Sequence, residues 1–312
     1  MQGKGQSTNK GKRTRQLYKR KRIPRVEKNY DYVKSNQIPT ERRAEILNLL
    51  AERLIMTSEQ IEYLHPEYGS QKRSRSLLNR SLKRMHEYYL IDRACYQQVI
   101  LWDDSVKRTT VVALGKLGSE AVNFFHHRER IRYEDGKPVL SQKVHHIIQV
   151  NNMEIVIREV AKELGWSIAK TPEGEELWFC EAGNRIVRHE NKLNPDVYAI
   201  FQNDRTGDLV HTFFEYDTGS EDRGYRHTFP KLSKKFDMYK EVKEWKDWYK
   251  NPITNYVKNP FPDIFFVTEE KKRFPEFPRV LKSKKLDVTC CLKKDFETNI
   301  REYFKQMEVS DH

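Results

Sequence analysis

The sequence predicts an α+β chain of two domains, and three observations carry that prediction. Helical apolar spacing runs through residues 41–89 and then gives way to two apolar runs around a polar turn. A long helical pattern starts again near residue 144 and is followed by strand-like runs that end in acids. Charge is piled at one end. The 312 residues hold 58 Lys and Arg against 45 Asp and Glu, and residues 1–30 alone hold eleven basic residues and one acid, Glu27. That segment therefore carries +10 of the net +13. At roughly 100–200 residues per domain, the length suits two domains.

Residues 1–38 read as a disordered basic arm. KGKRTRQLYKRKRIPR has no periodic apolar face, and Lys19, Arg20, Lys21 and Arg22 make its densest run. Such an arm suits phosphate backbones, which are bound by counterion release with little regard for sequence. A solubilising tail or an anionic-membrane contact is the plainer alternative. No apolar h-region follows the basic run, so no secretory signal is expected. No apolar stretch approaches the 18 or so residues of a membrane helix. Cys95, Cys180, Cys290 and Cys291 form no CxxC, which argues against a disulfide scaffold or a thiolate zinc site. The expectation is a soluble protein of the cytoplasm.

Residues 39–126 divide into short helices and a hairpin. ERRAEILNLLAERL places Ile46, Leu47, Leu50 and Leu54 at helical spacing. Thr57, with Gln60 three residues on, has the pattern of a capping box before a second helix. HPEYGS breaks the chain before a third helix, QKRSRSLLNRSLKRMHEYY. LIDRACYQQVILW and VKRTTVVAL, separated by Asp103-Asp104, read as a β-hairpin, and GKLGSEAVNFF as a closing helix. Three helices and a two-stranded wing is the order of a winged helix-turn-helix. Projected at about 100° per residue, Leu78, Leu82 and Met85 share one side of the third helix. Lys72, Arg73, Arg80, Lys83 and Arg84 take the other, while Arg75 and Leu77 fall between. A recognition helix in a major groove needs that division. A solvated basic face on an ordinary helix is the competing reading. Base preference is not legible, since Arg serves base edges and phosphates alike.

Residues 127–143 are charged and aperiodic and read as a connector. Residues 144–312 form the second predicted domain. It opens with the helix VHHIIQVNNMEIVIREVAKELGW, whose first turn carries His145 and His146 without metal-ligand spacing around them. LWFCEAGNRIVRHE follows as a strand pair turning at Ala182-Gly183-Asn184. NPDVYAIF and LVHTFFEYDTGS read as a hairpin around NDRTGD. Asp196 opens one strand and Glu215 and Asp217 close the other, on one face of it. Hairpin pairing brings Asp196 near Glu215. Three carboxylates at a sheet end suit a hard divalent cation, Mg²⁺ or Mn²⁺, of the kind that activates water beside a scissile phosphate.

This order, an acid after Pro and then acids on the next strand, resembles the PD-(D/E)xK nuclease superfamily. Over about residues 40–270 the chain more narrowly resembles the replication-relaxation family of plasmids and mobile elements. His146 and Asn152 on the helix, then Trp178 with Glu181, then Pro195-Asp196 carry the resemblance. It continues through Glu215, Asp217, Gly219 and Glu221 to Lys235 and Tyr239. The resemblance implies an N-terminal winged helix joined to a restriction-endonuclease-like α/β domain, and a part in plasmid replication and DNA relaxation. It also implies a site of Asp196, Glu215, Asp217 and Lys235, with Glu181 joining the first three around metal. One position departs from the nuclease pattern. The place of the in-strand Lys is Asp217. Lys231, Lys235 and Tyr239 lie at i, i+4 and i+8 on the next helix, so Lys235 is the candidate substitute or else a partner for Glu215 or Asp217. Glu154 or Glu181 is the candidate remaining acid.

A second Pro-Asp, Pro262-Asp263 with Glu269-x-Lys271, leaves only five residues between its acids. That is too few for a turn and a return strand, so PDIFFV reads as one buried strand. LDVTCCL reads as a late strand and DFETNIREYFKQM as a terminal helix. Trp245, Trp248, Tyr249, Tyr256 and Phe261 are taken as packing rather than as a base-stacking platform. Gly115-Lys116 lacks the upstream glycine of a phosphate loop, which sets an ATPase aside. The expected function is a DNA-binding protein of plasmid or mobile-element replication or relaxation, with Mg²⁺- or Mn²⁺-dependent nicking in the second domain. The alternative is a non-enzymatic replication or transcription regulator with a degenerate nuclease-like domain. Double-stranded DNA is the expected partner, with replication or mobilisation proteins and a second copy of the chain behind it, and no membrane. An RNA-processing factor is a further rival, because a basic arm does not tell RNA from DNA.

Overall fold

The computed structural model describes residues 40–65, 68, 74–100, 106–122, 131–134, 137–140, 143–180, 195–218, 228–244, 257, 261–272, 274–284 and 286–309. These residues form two compact units, one reaching to Ile148 and the other running from Gln149. The fold is mixed α+β, with helices and sheets in each.

In the first unit, helix α1 (Glu41–Arg53) buries Ile46, Leu47 and Leu50. It ends at Leu54, whose φ of 63° turns the chain out of the helix. Strand β1 (Ile55–Thr57) leads into helix α2 (Ser58–Leu64). Here the expected capping box forms in full. The Gln60 amide donates to Thr57 Oγ1 at 3.1 Å, and the Thr57 amide donates to Gln60 Oε1 at 2.9 Å. Helix α3 (Ser74–Glu87) buries Leu78, Leu82 and Met85 against α1 and α2 residues such as Leu47 and Ile61. Strands β2 (Ile91–Ile100) and β3 (Val106–Leu114) pair antiparallel, and β1 adds to β3 to give the order β1-β3-β2. The sequence does not announce β1. Three residues are too few to display a period of two.

Helix α4 (Lys116–Ala121) closes this unit against the chain that joins α3 to β2. A Cβ at Gly118 would stand 1.9 Å from the Leu90 carbonyl oxygen, so only glycine permits this approach. Within the expected connector, β4 (Arg132–Glu134) and β5 (Lys137–Val139) pair as a short antiparallel ladder.

Helix α5 (Val144–Glu163) supplies its later turns to the second unit. It stops earlier than its apolar pattern suggests. Gly165 takes a φ of 72°, and Trp166 already belongs to β6 (Trp166–Ile168). Strands β7 (Trp178–Cys180), β8 (Val197–Asn203) and β9 (Leu209–Asp217) follow. The β8–β9 turn is shaped by Asn203 Oδ1, which accepts from the amides of Arg205 and Thr206, and by Gly207 at φ 78°. Helix α6 (Thr228–Glu244), strand β10 (Asp263–Thr268), helix α7 (Phe277–Lys284), strand β11 (Thr289–Leu292) and helix α8 (Phe296–Val309) complete the unit.

The sheet order is β11-β10-β9-β8-β6, with β7 also on β8. β9, β10 and β11 are mutually parallel; β8 runs against β9, β6 and β7. Both faces are covered. Val197, Ala199, Phe214 and Phe265 pack with Met153 and Ile157 of α5 and Phe304 of α8. Tyr198, Ile200, Phe213 and Phe266 pack with Phe236 and Tyr239 of α6 and Phe277 of α7. Strands buried on both faces read as continuous apolar runs, which is why AIF and FFVT stand out in the sequence.

Candidate functional site

Two surfaces carry the residues singled out by the sequence. In the first unit, α3 turns Leu78, Leu82 and Met85 inward, and this fixes the outward side. Arg80, Lys83 and Arg84 are exposed there. Arg75 behaves differently. It pairs with Glu59 at 3.1 Å and Glu62 at 3.3 Å on α2, so its charge is partly spent within the fold. Thr109 of β3 donates to the same Glu59 at 2.5 Å. Lys72, Arg73, Lys19, Arg20, Lys21 and Arg22 lie outside the described residues.

The second site lies at the end of the sheet where β8 begins and β9 finishes. The antiparallel register pairs Val197 with Phe214, which sets Asp196 opposite Glu215. Asp196 Oδ2 accepts from the Tyr216 amide at 2.7 Å. Glu215 is 1% exposed, and both its oxygens are engaged. Lys235 Nζ donates to Oε2 and Tyr239 Oη donates to Oε1, both from α6. One helical turn separates these two donors, and burial of Phe236, Tyr239 and Val242 points that side of α6 at the sheet. Burial pushes the Glu215 carboxyl up to about 8; the Lys235 charge opposes that shift and the Asp196 charge adds to it. Burial, followed by the Glu215 charge, likewise raises the Tyr239 hydroxyl.

Asp217 shares the face of Glu215 but leans toward the neighbouring strand. Its Oδ2 accepts from Thr268 Oγ1 at 2.9 Å, across the register that pairs Asp217 with Thr268. Its carbonyl accepts from the Glu269 amide at 3.0 Å. Thr268 carries no mark of this role in the sequence, because cross-strand neighbours in a parallel pair come from distant segments. On the opposite face, Tyr216 Oη donates to Glu269 Oε1 at 2.8 Å, and the Lys293 ammonium lies 4.0 Å from that oxygen. Glu154 is committed elsewhere. It accepts from Arg158 Nε at 2.8 Å, and Arg158 also pairs with Glu176 at 2.5 Å while lying 5.5 Å over the Trp178 ring. His146 is half-buried in the first turn of α5, and Asn152 donates to Gln149 Oε1 at 3.5 Å. Glu181, Gly219 and Glu221 fall outside the described residues, as do the turn at 182–184 and the aromatics Trp245, Trp248, Tyr249 and Tyr256. The side chain of Lys231 does too. Phe261 packs edge-on against Phe213, with ring centroids 5.8 Å apart.

Whether the set suits a cation follows from its own chemistry. Carboxylates suit Mg²⁺, but Glu215 gives its two oxygens to Lys235 and Tyr239. Among the described residues, no three Asp, Glu, His or Cys side chains gather around one point. As arranged, Lys235 and Tyr239 satisfy Glu215 without a cation. Lys235 supplies the positive charge instead.

The geometry thus defines a two-unit α+β protein with a basic helix face in one unit and a buried acid–lysine–tyrosine cluster in the other. Residues 47–255 match the replication-relaxation family, and the chain belongs to that family. No curated protein matches it. Among solved structures it is similar to the restriction endonuclease FokI, at 10% identity and a TM-score of 0.28. That alignment covers 86% of this chain and 45% of the endonuclease chain, so this chain spans under half of that length. A likeness this loose leaves the fold to be argued from its own elements. No helix among the described residues is long and apolar enough to cross a membrane.

Proposed function

We propose that this chain is a DNA-binding protein of plasmid or mobile-element replication or relaxation. Its first unit acts as a winged helix, within a domain spanning residues 39–126, that docks on double-stranded DNA. The residues from 144 onward form a restriction-endonuclease-like domain, reached through the connector 127–143. The observation that carries this reading is the two-sided α3. Its apolar side is buried beneath α1 and α2, its basic side is exposed, and a hairpin follows it. The basic arm with Lys19–Arg22, and Lys72 and Arg73 before α3, add phosphate contacts. Replication or mobilisation proteins and a second copy of the chain are the further partners this reading expects, in the cytoplasm where the DNA is.

The test is a salt titration of binding to duplex DNA. Arg80→Ala with Arg84→Ala should keep the melting temperature and weaken binding. The slope of log K against log salt should shrink by roughly 0.9 for each phosphate that the variant no longer neutralises. An unchanged slope removes α3 from the interface.

For the second domain, the facing of Asp196 and Glu215 supports strand nicking with Mg²⁺ or Mn²⁺, held by Asp196, Glu215, Asp217 and Glu181 and assisted by Lys235. The ties from Lys235 and Tyr239 to Glu215 favour the other reading, a non-enzymatic regulator whose nuclease-like sheet is a scaffold. Supercoiled plasmid incubated with the protein, with and without Mn²⁺, separates them. Metal-dependent nicking that Asp196→Asn abolishes establishes the enzyme. Binding without nicking establishes the regulator.

A further inference from the structure

Glu59 joins three elements of the first unit. It stands in the first turn of α2, just past the capping residue Thr57. Strand β1 pairs with β3 as far as Thr57, which faces Val111. Continuing that antiparallel register sets Glu59 opposite Thr109, and there Thr109 Oγ1 donates to Glu59 Oε2 at 2.5 Å. Ser58 Oγ donates to the same oxygen at 3.2 Å. The other oxygen, Oε1, accepts from the Arg75 guanidinium at 3.1 Å, while Arg75 Nε lies 3.3 Å from Glu62 Oε2. Arg75 lies in the first turn of α3, so one carboxylate of α2 ties the start of α3 to β3.

The place of Thr109 gives this tie its meaning. It is buried, and it pairs with Tyr96 on β2 at the point where the hairpin register shifts, between Tyr96 and Val99. Val111 already has β1 beside it, so Glu59 grips the hairpin where it leaves the β1 ladder. Arg75 reaches both acids because its planar fork presents separate N–H groups, where an ammonium offers a single point of charge. With its side chain 55% exposed, Arg75 adds little stability through these pairs. What the tie fixes is the direction of the hairpin relative to α3. Two contact elements held in one arrangement need no ordering when they meet a partner, and binding gains by that amount.

We propose that Glu59 is a positioning residue for DNA docking, which with Arg75 and Thr109 holds the hairpin and α3 in the arrangement that meets one duplex. Arg75 spends its charge on this joint and not on a phosphate. The joint rests on the DNA-docking reading and adds to it an acid whose removal weakens binding. Charge alone demands the opposite, because an acid on a phosphate-facing unit repels the duplex.

The test measures the affinity of the full chain for a duplex across a salt series, with thermal melts alongside. Glu59→Ala, Thr109→Val and Arg75→Gln should each weaken binding several-fold and leave the slope of log K against log salt as it is in the unaltered chain. Arg75→Lys, which keeps one charged contact to Glu59, should recover part of the loss. Thr109→Val combined with Arg75→Gln should lose no more than the larger single loss, since cutting either side of Glu59 opens the same joint. Should Glu59→Ala melt early, Thr109→Val and Arg75→Gln are read in its place. Arg80→Ala with Arg84→Ala is the control and should lower the slope. Tighter or unchanged binding by Glu59→Ala overturns the joint, as do additive losses in the combined variant. A slope reduced by roughly 0.9 in Arg75→Gln also overturns it, since Arg75 is then a phosphate contact. Each of these leaves docking intact when the control is weakened. A control that binds like the unaltered chain overturns the docking reading, and the positioning role falls with it.

Discussion

Glu215 is the most consequential single residue in the second unit. Burial pushes its carboxyl up from an ordinary 4.5 to about 8 in the folded chain. Between those values the unfolded chain has given up a proton that the folded chain keeps. Stability should therefore fall as pH rises from about 4.5 toward 8, by up to ~1.4 kcal/mol per pH unit, and level off above. Denaturant melts across this range should show the slope in the natural chain and lose it in Glu215→Gln. A slope that survives the substitution assigns the titration to another group. Tyr239→Phe probes the same carboxyl from the other side. It removes a fully buried donor and strands a buried oxygen, which costs about 1–3 kcal/mol. Equilibrium unfolding should resolve that difference, and an unchanged midpoint would mean Lys235 alone satisfies the group. The proximity of Asp196 and Glu215 is legible from the hairpin between them. The closure of Glu215 by both α6 donors is not, because helical spacing shows that Lys235 and Tyr239 share a face but not what that face meets.

At the level of elements, close packing sets the tolerance for change. The first turn of α4 fits against the α3–β2 junction only through Gly118. Gly118→Ala should force α4 away from Leu90 and destabilise the first unit by roughly 1–3 kcal/mol. A thermal melt checks this, and a neutral outcome would show that α4 shifts at no cost. The same scale explains which elements the sequence displays. α1, α3, α6 and α8 are long enough for a period to emerge, and Thr57 with Gln60 marks the start of α2 through a local pair of hydrogen bonds. β1 and β6 are three residues each and owe their existence to the strands they join. The apolar pattern overruns the end of α5 because Trp166 continues the apolar content of the helix while serving the sheet. The pairing of β10 beside β9 is illegible for a different reason: strand order in a parallel sheet is set by crossover packing and leaves no local mark.

Across the whole chain, charge and chemistry are kept apart: the basic helix face lies in one unit and the buried acid in the other, while residues 1–30 hold most of the net charge. Composition alone conveys the charge of residues 1–30, which survives any error in element boundaries, whereas the burial of Glu215 needs the fold. The order in which contacts form is a separate matter, and the sheet contains it. β8 and β9 are joined by a short turn, so Asp196 meets Glu215 by a local closure of small entropic cost. The bond from Thr268 to Asp217 spans 51 residues and needs the chain to leave through α6 and return as β10. Contacts of that span form late. During synthesis, then, the ribosome releases Asp196, Glu215 and Lys235 before the strand that locks Asp217 exists, and a chain stalled short of residue 263 exposes the bare edge of β9. That edge is a row of unpaired backbone groups, open to another strand. Any aggregation of this protein in the cell should trace to that interval and be relieved when β10 emerges.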